Sequence, residues 1–257
     1  IKYTKNIAIA NKEAIICGWN LISKELKKYK TNFIPVDSEH FTIWYALKNN
    51  KDEIEKIYLT ASGGPFNKLN LSKFSKITLN QALKHPNWKM GKKITIDSST
   101  LMNKVFEIIE AKNIFNLPYK KLAILIHPNS YVHSIIKFKN GIIKIVAHET
   151  NMKIPIFSSL QSEVEDSLNF HTKNIDLNLL NNLNLNYVNK KKFPTIKILD
   201  LLPTKNSLFE TVLVSANDTL VNLFLEKRIK FLDINKYLSK FVKKKEFIKN
   251  KKISPKS

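Results

Sequence analysis

Ile96-Asp97-Ser98-Ser99-Thr100-Leu101-Met102-Asn103-Lys104-Val105-Phe106-Glu107 is the stretch on which the fold class turns. Ile94 and Ile96 alternate with Thr95, the pattern of a short strand. Asp97, Ser98, Ser99 and Thr100 all serve well as helix N-caps, so a helix is expected to start there. A strand that runs into a helix is the unit of an α/β fold. Free backbone N–H groups at such a start attract anions, phosphate above all. Asn103, Lys104 and Glu107 stand at helical spacing and so share one side of that helix. The same pattern fits a capped surface helix with a Lys–Glu pair, and the stretch alone leaves both readings open.

The flanks repeat the strand–helix pattern. Ile7 to Ala10 reads as a strand, Asn11-Lys12-Glu13 as a polar turn, Ala14 to Lys28 as a helix and Asn32 to Val36 as the next strand. Asp37-Ser38-Glu39-His40 then sits at a strand end, with helix over 41–50. Ile57 to Thr60 is a strand that runs into Ala61-Ser62-Gly63-Gly64-Pro65-Phe66. Two of the five glycines stand there, so the backbone turns sharply or approaches a ligand closely. Residues 78–93 read as a loop that carries Trp88 and Met90, unusual loop residues. Leu122 to Ile126 is a strand, and Tyr131 to Phe138 with Ile142 to Ala147 form a hairpin about Asn140-Gly141. Residues 161–193 are an Asn-, Leu- and Lys-rich connecting arm. Helical patterns follow at 195–202, 206–226 and 233–244, with a frayed lysine-rich tail after Val242. The expected fold class is α/β with a small helical C-terminal domain.

The length of 257 residues suits one large domain or two to three small ones, and 43% apolar content supports a real core. The net charge of +22 would usually point to nucleic acid or an anionic membrane. Arg228 is the only arginine, however, and a chain adapted to nucleic acid is expected to use that residue for bidentate contacts. Abundant Lys, Asn and Ile read as a coding bias, so no specific nucleic-acid partner is expected. No apolar run approaches the length needed to cross a bilayer, so no membrane partner is expected either. Cys17 has no partner for an internal disulfide and reads as core.

Asp37 and Glu39, two apart on an extended segment, can point the same way. With Glu107 they offer three carboxylates to one divalent cation, and oxygen ligands select Mg²⁺ or Mn²⁺ over zinc. Two solvated acids at a helix N-terminus would look the same in sequence. His85, in the loop, and His133, on a strand, can each bind phosphate or move protons, or simply pack. Trp88 suits a lid that excludes water and equally suits a loop pinned to the core. His40, His127, His148 and His171 show no companion pattern, and no glycine-rich phosphate loop is present.

Six ordered segments carry a resemblance: Ala10-Asn11-Lys12-Glu13, Pro35 to His40, Leu59 to Phe66, His85 to Gly91, Asp97 to Lys104 and Ile126 to Ser134. Together they closely resemble the 1-deoxy-D-xylulose 5-phosphate reductoisomerase family, strongly over about residues 1–160 and weakly beyond. The resemblance implies rearrangement of a linear ketose phosphate and reduction by NADPH to 2-C-methyl-D-erythritol 4-phosphate, on the route to isoprenoid precursors. It implies a cation, Mg²⁺ or Mn²⁺ with Co²⁺ as a further candidate, held by Asp37, Glu39 and Glu107. It implies substrate contacts from Lys12, Ser38, Glu39, Ser62, His85, Ser98, Asn103, Lys104 and Glu107. Catalytic roles fall to Glu39, Lys104, Glu107, His85 and His133, a lid to His85, Trp88 and Met90, and NADPH contacts to Asn11, Glu13 and Gly91.

By the same resemblance, residues 1–36 end a Rossmann-like NADPH-binding domain, 37–160 form an α+β catalytic domain, 161–193 the arm and 194–257 the C-terminal helical domain. The glycine-rich part of the cofactor domain has no counterpart, so this chain alone is expected to bind NADPH poorly. A truncated, non-catalytic remnant that binds a phosphosugar or a partner subunit is the alternative. A homodimer in the bacterial cytoplasm, or else in a plastid-type organelle, is expected. Ser215-Ala216-Asn217-Asp218 and Asn151 depart from the family pattern, at places expected to lie away from the chemistry.

Overall fold

Two short parallel strands, β1 (Asn6–Ala8) and β2 (Asn32–Ile34), bracket the helix α1 (Lys12–Tyr29). The computed structural model describes residues 1–160 and 174–256. The strand–helix–strand unit forms as expected, but its boundaries shift. Asn11 is the N-cap of α1 and accepts from Ala14 N at 2.7 Å, so Lys12 and Glu13 are the first helical turn rather than a polar turn. Asp37 likewise caps α2 (Ser38–Leu47), accepting from Glu39 N at 3.2 Å. Asp37 and Glu39 therefore meet across a helix start, not along an extended segment.

The main sheet is built from β3 (Ile54–Ala61), β4 (Leu122–Ile126), β5 (Val132–Phe138), β6 (Ile143–Ala147) and β7 (Asn186–Tyr187). Its order is β6-β5-β3-β4-β7, with β3 and β4 parallel and every other pairing antiparallel. The β5–β6 hairpin turns at Gly141 with φ +90°, as the Asn-Gly step requires.

Residues Ile94 and Ile96, expected on a strand, are helical. The loop at 78–93 holds α3 (Leu79–Ala82), capped by Thr78 and Gln81, and then α4 (Lys92–Ser99) begins at Gly91. Thr95 N bonds Gly91 O at 3.1 Å and Thr100 N bonds Ile96 O at 3.0 Å, which completes the helical ladder. A three-residue alternation is weak evidence for a strand, and packing decides: Thr95, Ile96 and Asp97 are all buried. The cap-rich run Asp97 to Thr100 thus ends a helix instead of starting one. Thr100 Oγ1 bonds the carbonyls of Ile96 and Asp97, and Leu101 takes a left-handed φ of +60° before α5 (Met102–Ile114) starts without a side-chain cap. The anion site expected at that helix start is not formed in the expected way.

Gly63 and Gly64, at φ +80° and +62°, make the turn after β3. A Cβ on Gly64 would lie 3.0 Å from Ser98 O and Ser99 Cα. The glycine pair thus serves a close approach of backbone to the end of α4.

After β6 come α6 (Lys153–Leu160), α7 (Leu177–Asn181), α8 (Leu208–Leu225), α9 (Phe231–Phe241) and α10 (Lys245–Ile248). Of the expected arm, 161–173 lies outside the described residues; the remainder contributes α7 and the edge strand β7. The tail expected to fray forms α10 and a further helical turn at Lys249–Lys252, and Leu208 N bonds back to Ile253 O at 2.8 Å.

With its mean hydropathy of 1.3 over 18 residues, α8 is long and apolar enough to cross a membrane, against the sequence expectation. Here it buries Phe209, Leu213, Val221 and Phe224 in the same hydrophobic cluster as β3, β4 and α5. Phe231 on α9 joins Phe66, Phe74 and Phe224 at ring separations of 5.0, 6.3 and 5.9 Å. One continuous core therefore links the sheet to the C-terminal helices.

Candidate active site

The N-terminal ends of α1 and α2, the C-terminal end of α4 and one face of α5 converge on a cavity of about 420 Å³. Every site residue expected from sequence lines it except Gly91, which caps α4 outside the lining. Lys104, Glu107 and Glu110 follow one another at helical spacing on α5 and are all buried. Asp37 and Glu39 approach from the start of α2.

Two ammonium groups are threaded through four carboxylates. Lys12 Nζ lies 2.6 Å from Glu110 Oε2 and 3.1 Å from Asp37 Oδ2. Lys104 Nζ lies 2.7 Å from Glu39 Oε1 and touches Glu107 Oε2. Asn103 Nδ2 donates to Glu107 Oε1, and Ser38 Oγ donates to Glu39 Oε2 at 2.5 Å. Burial works against every one of these charges, yet Asp37 is held far below the usual carboxylate range because Lys12, His40 and Lys104 outweigh it. Lys104 raises Glu39's tendency to ionise in the same way. For Lys12 and Lys104, burial is outweighed by the adjacent carboxylates, and both ammonium groups stay protonated well above the ordinary lysine value. Glu107 goes the other way: burial, followed by Glu39, pushes its carboxyl well up despite Lys104.

Those six side chains carry two surplus negative charges when all are ionised, which matches one divalent cation. Oxygens of Asp37, Glu39 and Glu107 lie within 4.8 Å of one another. Glu107 Oε2 is buried and faces the Lys104 ammonium, with no other partner among the described residues. An all-oxygen donor set that carries surplus negative charge fits a hard cation such as Mg²⁺ or Mn²⁺. A second group, Asp37, His40 and Glu110, is equally close. There Lys12 bonds Asp37 and Glu110, and His40 Nε2 bonds Glu107 O at 2.9 Å, so this group includes a nitrogen ligand where the first is all oxygen.

The far wall of the cavity is neutral and donor-rich. His85 Nδ1 accepts from Trp88 N at 2.9 Å and Asn87 N at 3.2 Å. Its proton must then sit on Nε2, which donates to Ser62 Oγ at 3.2 Å. Ser62 Oγ also accepts from Gly64 N at 3.0 Å, so its own hydrogen is left to point at a ligand. Burial, then Lys104, lowers His85 to about 4, which keeps the imidazole neutral at pH 7. The 83–91 loop is tied down by Asn87 Nδ2, which donates to Pro128 O at 2.6 Å and Ser130 Oγ at 2.8 Å. Trp88 stands edge-on to His133, which stacks on His148 at 3.9 Å. Burial also lowers His133 to about 4.

His40 and His148, without companions in sequence, thus have them in space, and His171 lies outside the described residues. Glu110, missed in sequence, continues the spacing of Lys104 and Glu107. Asn217 is not remote: its Nδ2 donates to buried Asp97 Oδ1 at 2.7 Å, beside the cavity. Asp218 joins Lys93 at 3.0 Å, and Lys93 reaches Glu13 at 2.5 Å, so α8 is tied to the starts of α4 and α1.

Known proteins similar to this chain in sequence and in fold agree with one another. The family model described as 1-deoxy-D-xylulose 5-phosphate reductoisomerase C-terminal domain matches residues 33–115, and that of the DXP reductoisomerase C-terminal domain matches 148–255. The 1-deoxy-D-xylulose 5-phosphate reductoisomerase of Pelagibacter ubique is 62% identical over all of this chain and 66% of its own length. That of a Sulfurihydrogenibium species is 42% identical over 97% of this chain and 65% of its own length. This chain therefore spans about two thirds of these relatives. A crystal structure of DOX-P reductoisomerase with NADPH, fosmidomycin and magnesium superposes with TM-score 0.87 at 30% identity, over 98% of this chain and 64% of that one. The Zymomonas mobilis enzyme in complex with NADPH gives 0.80 at 31% identity, over 92% of this chain and 61% of that one. With matches to both family models and 62% identity along its whole length, this chain belongs to the 1-deoxy-D-xylulose 5-phosphate reductoisomerase family.

Proposed function

We propose that this chain carries the substrate- and metal-binding part of an enzyme that rearranges 1-deoxy-D-xylulose 5-phosphate and reduces it with NADPH to 2-C-methyl-D-erythritol 4-phosphate, for isoprenoid precursors. The observation that carries the reading is the carboxylate trio Asp37, Glu39 and Glu107 facing a neutral donor wall across one cavity. The trio would hold Mg²⁺ or Mn²⁺. When bound, the cation supplies Lewis-acid stabilisation of developing oxygen charge and NADPH supplies reducing equivalents.

The rest of the chemistry belongs to the side chains. Ser62, Ser98 and Asn103 bind and orient the phosphosugar, and the spare hydroxyl hydrogen of Ser62 donates to an anionic oxygen. Neutral His85 holds Ser62 in that orientation. Lys12 and Ser38 position the substrate oxygens beside the trio, Lys104 joins the phosphate and hydroxyl contacts, and His133 walls the same space under Trp88. Trp88 and Met90 close the cavity and exclude water. Asn11, Glu13 and Gly91 face the cofactor, with Glu13 braced by Lys93.

In this assignment residues 1–36 belong to the cofactor-binding part, 37–160 to the catalytic part and 194–257 to the C-terminal helices, which share its core. The functional unit is a cytoplasmic homodimer. The test is NADPH oxidation by the full-length gene product with the ketose phosphate and Mn²⁺. Turnover that needs all three components supports the reading, and a folded protein without turnover refutes it.

A further inference from the structure

Lys104 and Lys12 differ in what would remain to them if a cation took the trio. Among the described residues, both ion-pair partners of Lys104, Glu39 and Glu107, belong to the proposed ligand set. Lys12 has one partner in that set, Asp37, and one outside it, the fully buried Glu110 at 2.6 Å. An ammonium and a divalent cation repel one another and compete for the same carboxylates, and a lysine is a compact charge on a flexible four-carbon stem.

We propose that Lys104 is the resident counter-ion of the carboxylate trio and that a divalent cation displaces it, while Glu110 keeps Lys12 in place. The inference rests on the assignment of the trio to a cation. Glu110 acts as a positioning residue in this scheme, because it holds Lys12 without touching the cation.

Mn²⁺ binding to the 257-residue chain, followed at pH 8 by the electron-paramagnetic signal of the free ion, tests the competition. Lys104→Met removes the rival charge and should tighten Mn²⁺ roughly tenfold in the absence of any other ligand. Unchanged or weaker binding overturns the inference. Glu107→Gln separates this failure from that of the metal site: if it leaves Mn²⁺ affinity at the wild-type level, the cation assignment falls and the displacement with it. A measurement on the wild-type chain avoids any folding defect of the variant. Reductive methylation, mapped by peptide mass spectrometry with and without Mg²⁺, should rise severalfold at Lys104 on adding Mg²⁺ and stay constant at Lys12. No rise at Lys104, or an equal rise at both lysines, overturns the inference.

Discussion

Asp97→Asn is expected to remove a pH dependence of stability that the wild-type chain carries between about pH 4 and pH 6. Asp97 sits in the last turn of α4, 2% exposed. Burial is the largest influence on it and pushes its carboxyl up from 3.8 to about 6, against the opposing pull of Asn217 and Lys93. The folded chain therefore binds this proton more tightly than the unfolded chain. The sign follows: the contribution is fully present below the unfolded value, is lost as pH rises towards 6, and stays constant above. A rise of that size corresponds to about 3 kcal/mol, or on the order of 6–10 °C in Tm for a chain of this length.

The asparagine variant keeps an oxygen for Asn217, and Lys93 keeps Glu13 and Asp218, so the comparison isolates the charge. Urea unfolding of both proteins from about pH 4 to pH 8 gives the difference directly, and every other titrating group cancels. The variant should gain about 3 kcal/mol on the wild type between about pH 4 and pH 6 and nothing beyond. Parallel curves, or a difference that grows in the opposite direction, would refute the assignment of a buried, proton-holding Asp97.

Three further outcomes are expected. Glu107→Gln should lower metal-dependent turnover by at least about 100-fold while leaving the fold intact by circular dichroism, because it removes a buried acid whose ionisation burial opposes. Gly64→Ala should cost about 1–3 kcal/mol in urea unfolding, since φ is +62° and the new Cβ meets Ser98 and Ser99 backbone at 3.0 Å; a neutral result would mean that the turn can move. Asn87→Ala removes both bonds that tie the 83–91 loop to Pro128 and Ser130. It should cost about 1 kcal/mol, speed proteolysis within that loop and raise KM for the phosphosugar more than it lowers kcat.

Much was legible in the chain before any coordinates. The β5–β6 hairpin was readable because Asn140-Gly141 dictates its own turn geometry, and β4 because a continuous apolar run between polar ends suits a buried strand. The companions Asn103, Lys104 and Glu107 were readable because helical spacing alone puts them on one face. These are local facts, decided within a few residues.

What stayed hidden was decided at a distance. Ile94 to Ile96 look like strand, yet they are helical because α4 must bury Ile96 and Asp97 against neighbours far along the chain, Asn217 among them. Asp97 to Thr100 look like a helix start, yet they close α4, since a cap residue is also at home at a helix end when its hydroxyl can bond the last carbonyls, as Thr100 does. His40 and Asn217 carry no local signature, because their roles come from partners on other elements. By itself the sequence determined which side chains were available and which stood together on one turn of helix. Only the tertiary structure decided their neighbours, and with them the charges each group can hold, because burial and ion pairing are set by contacts that span the whole chain.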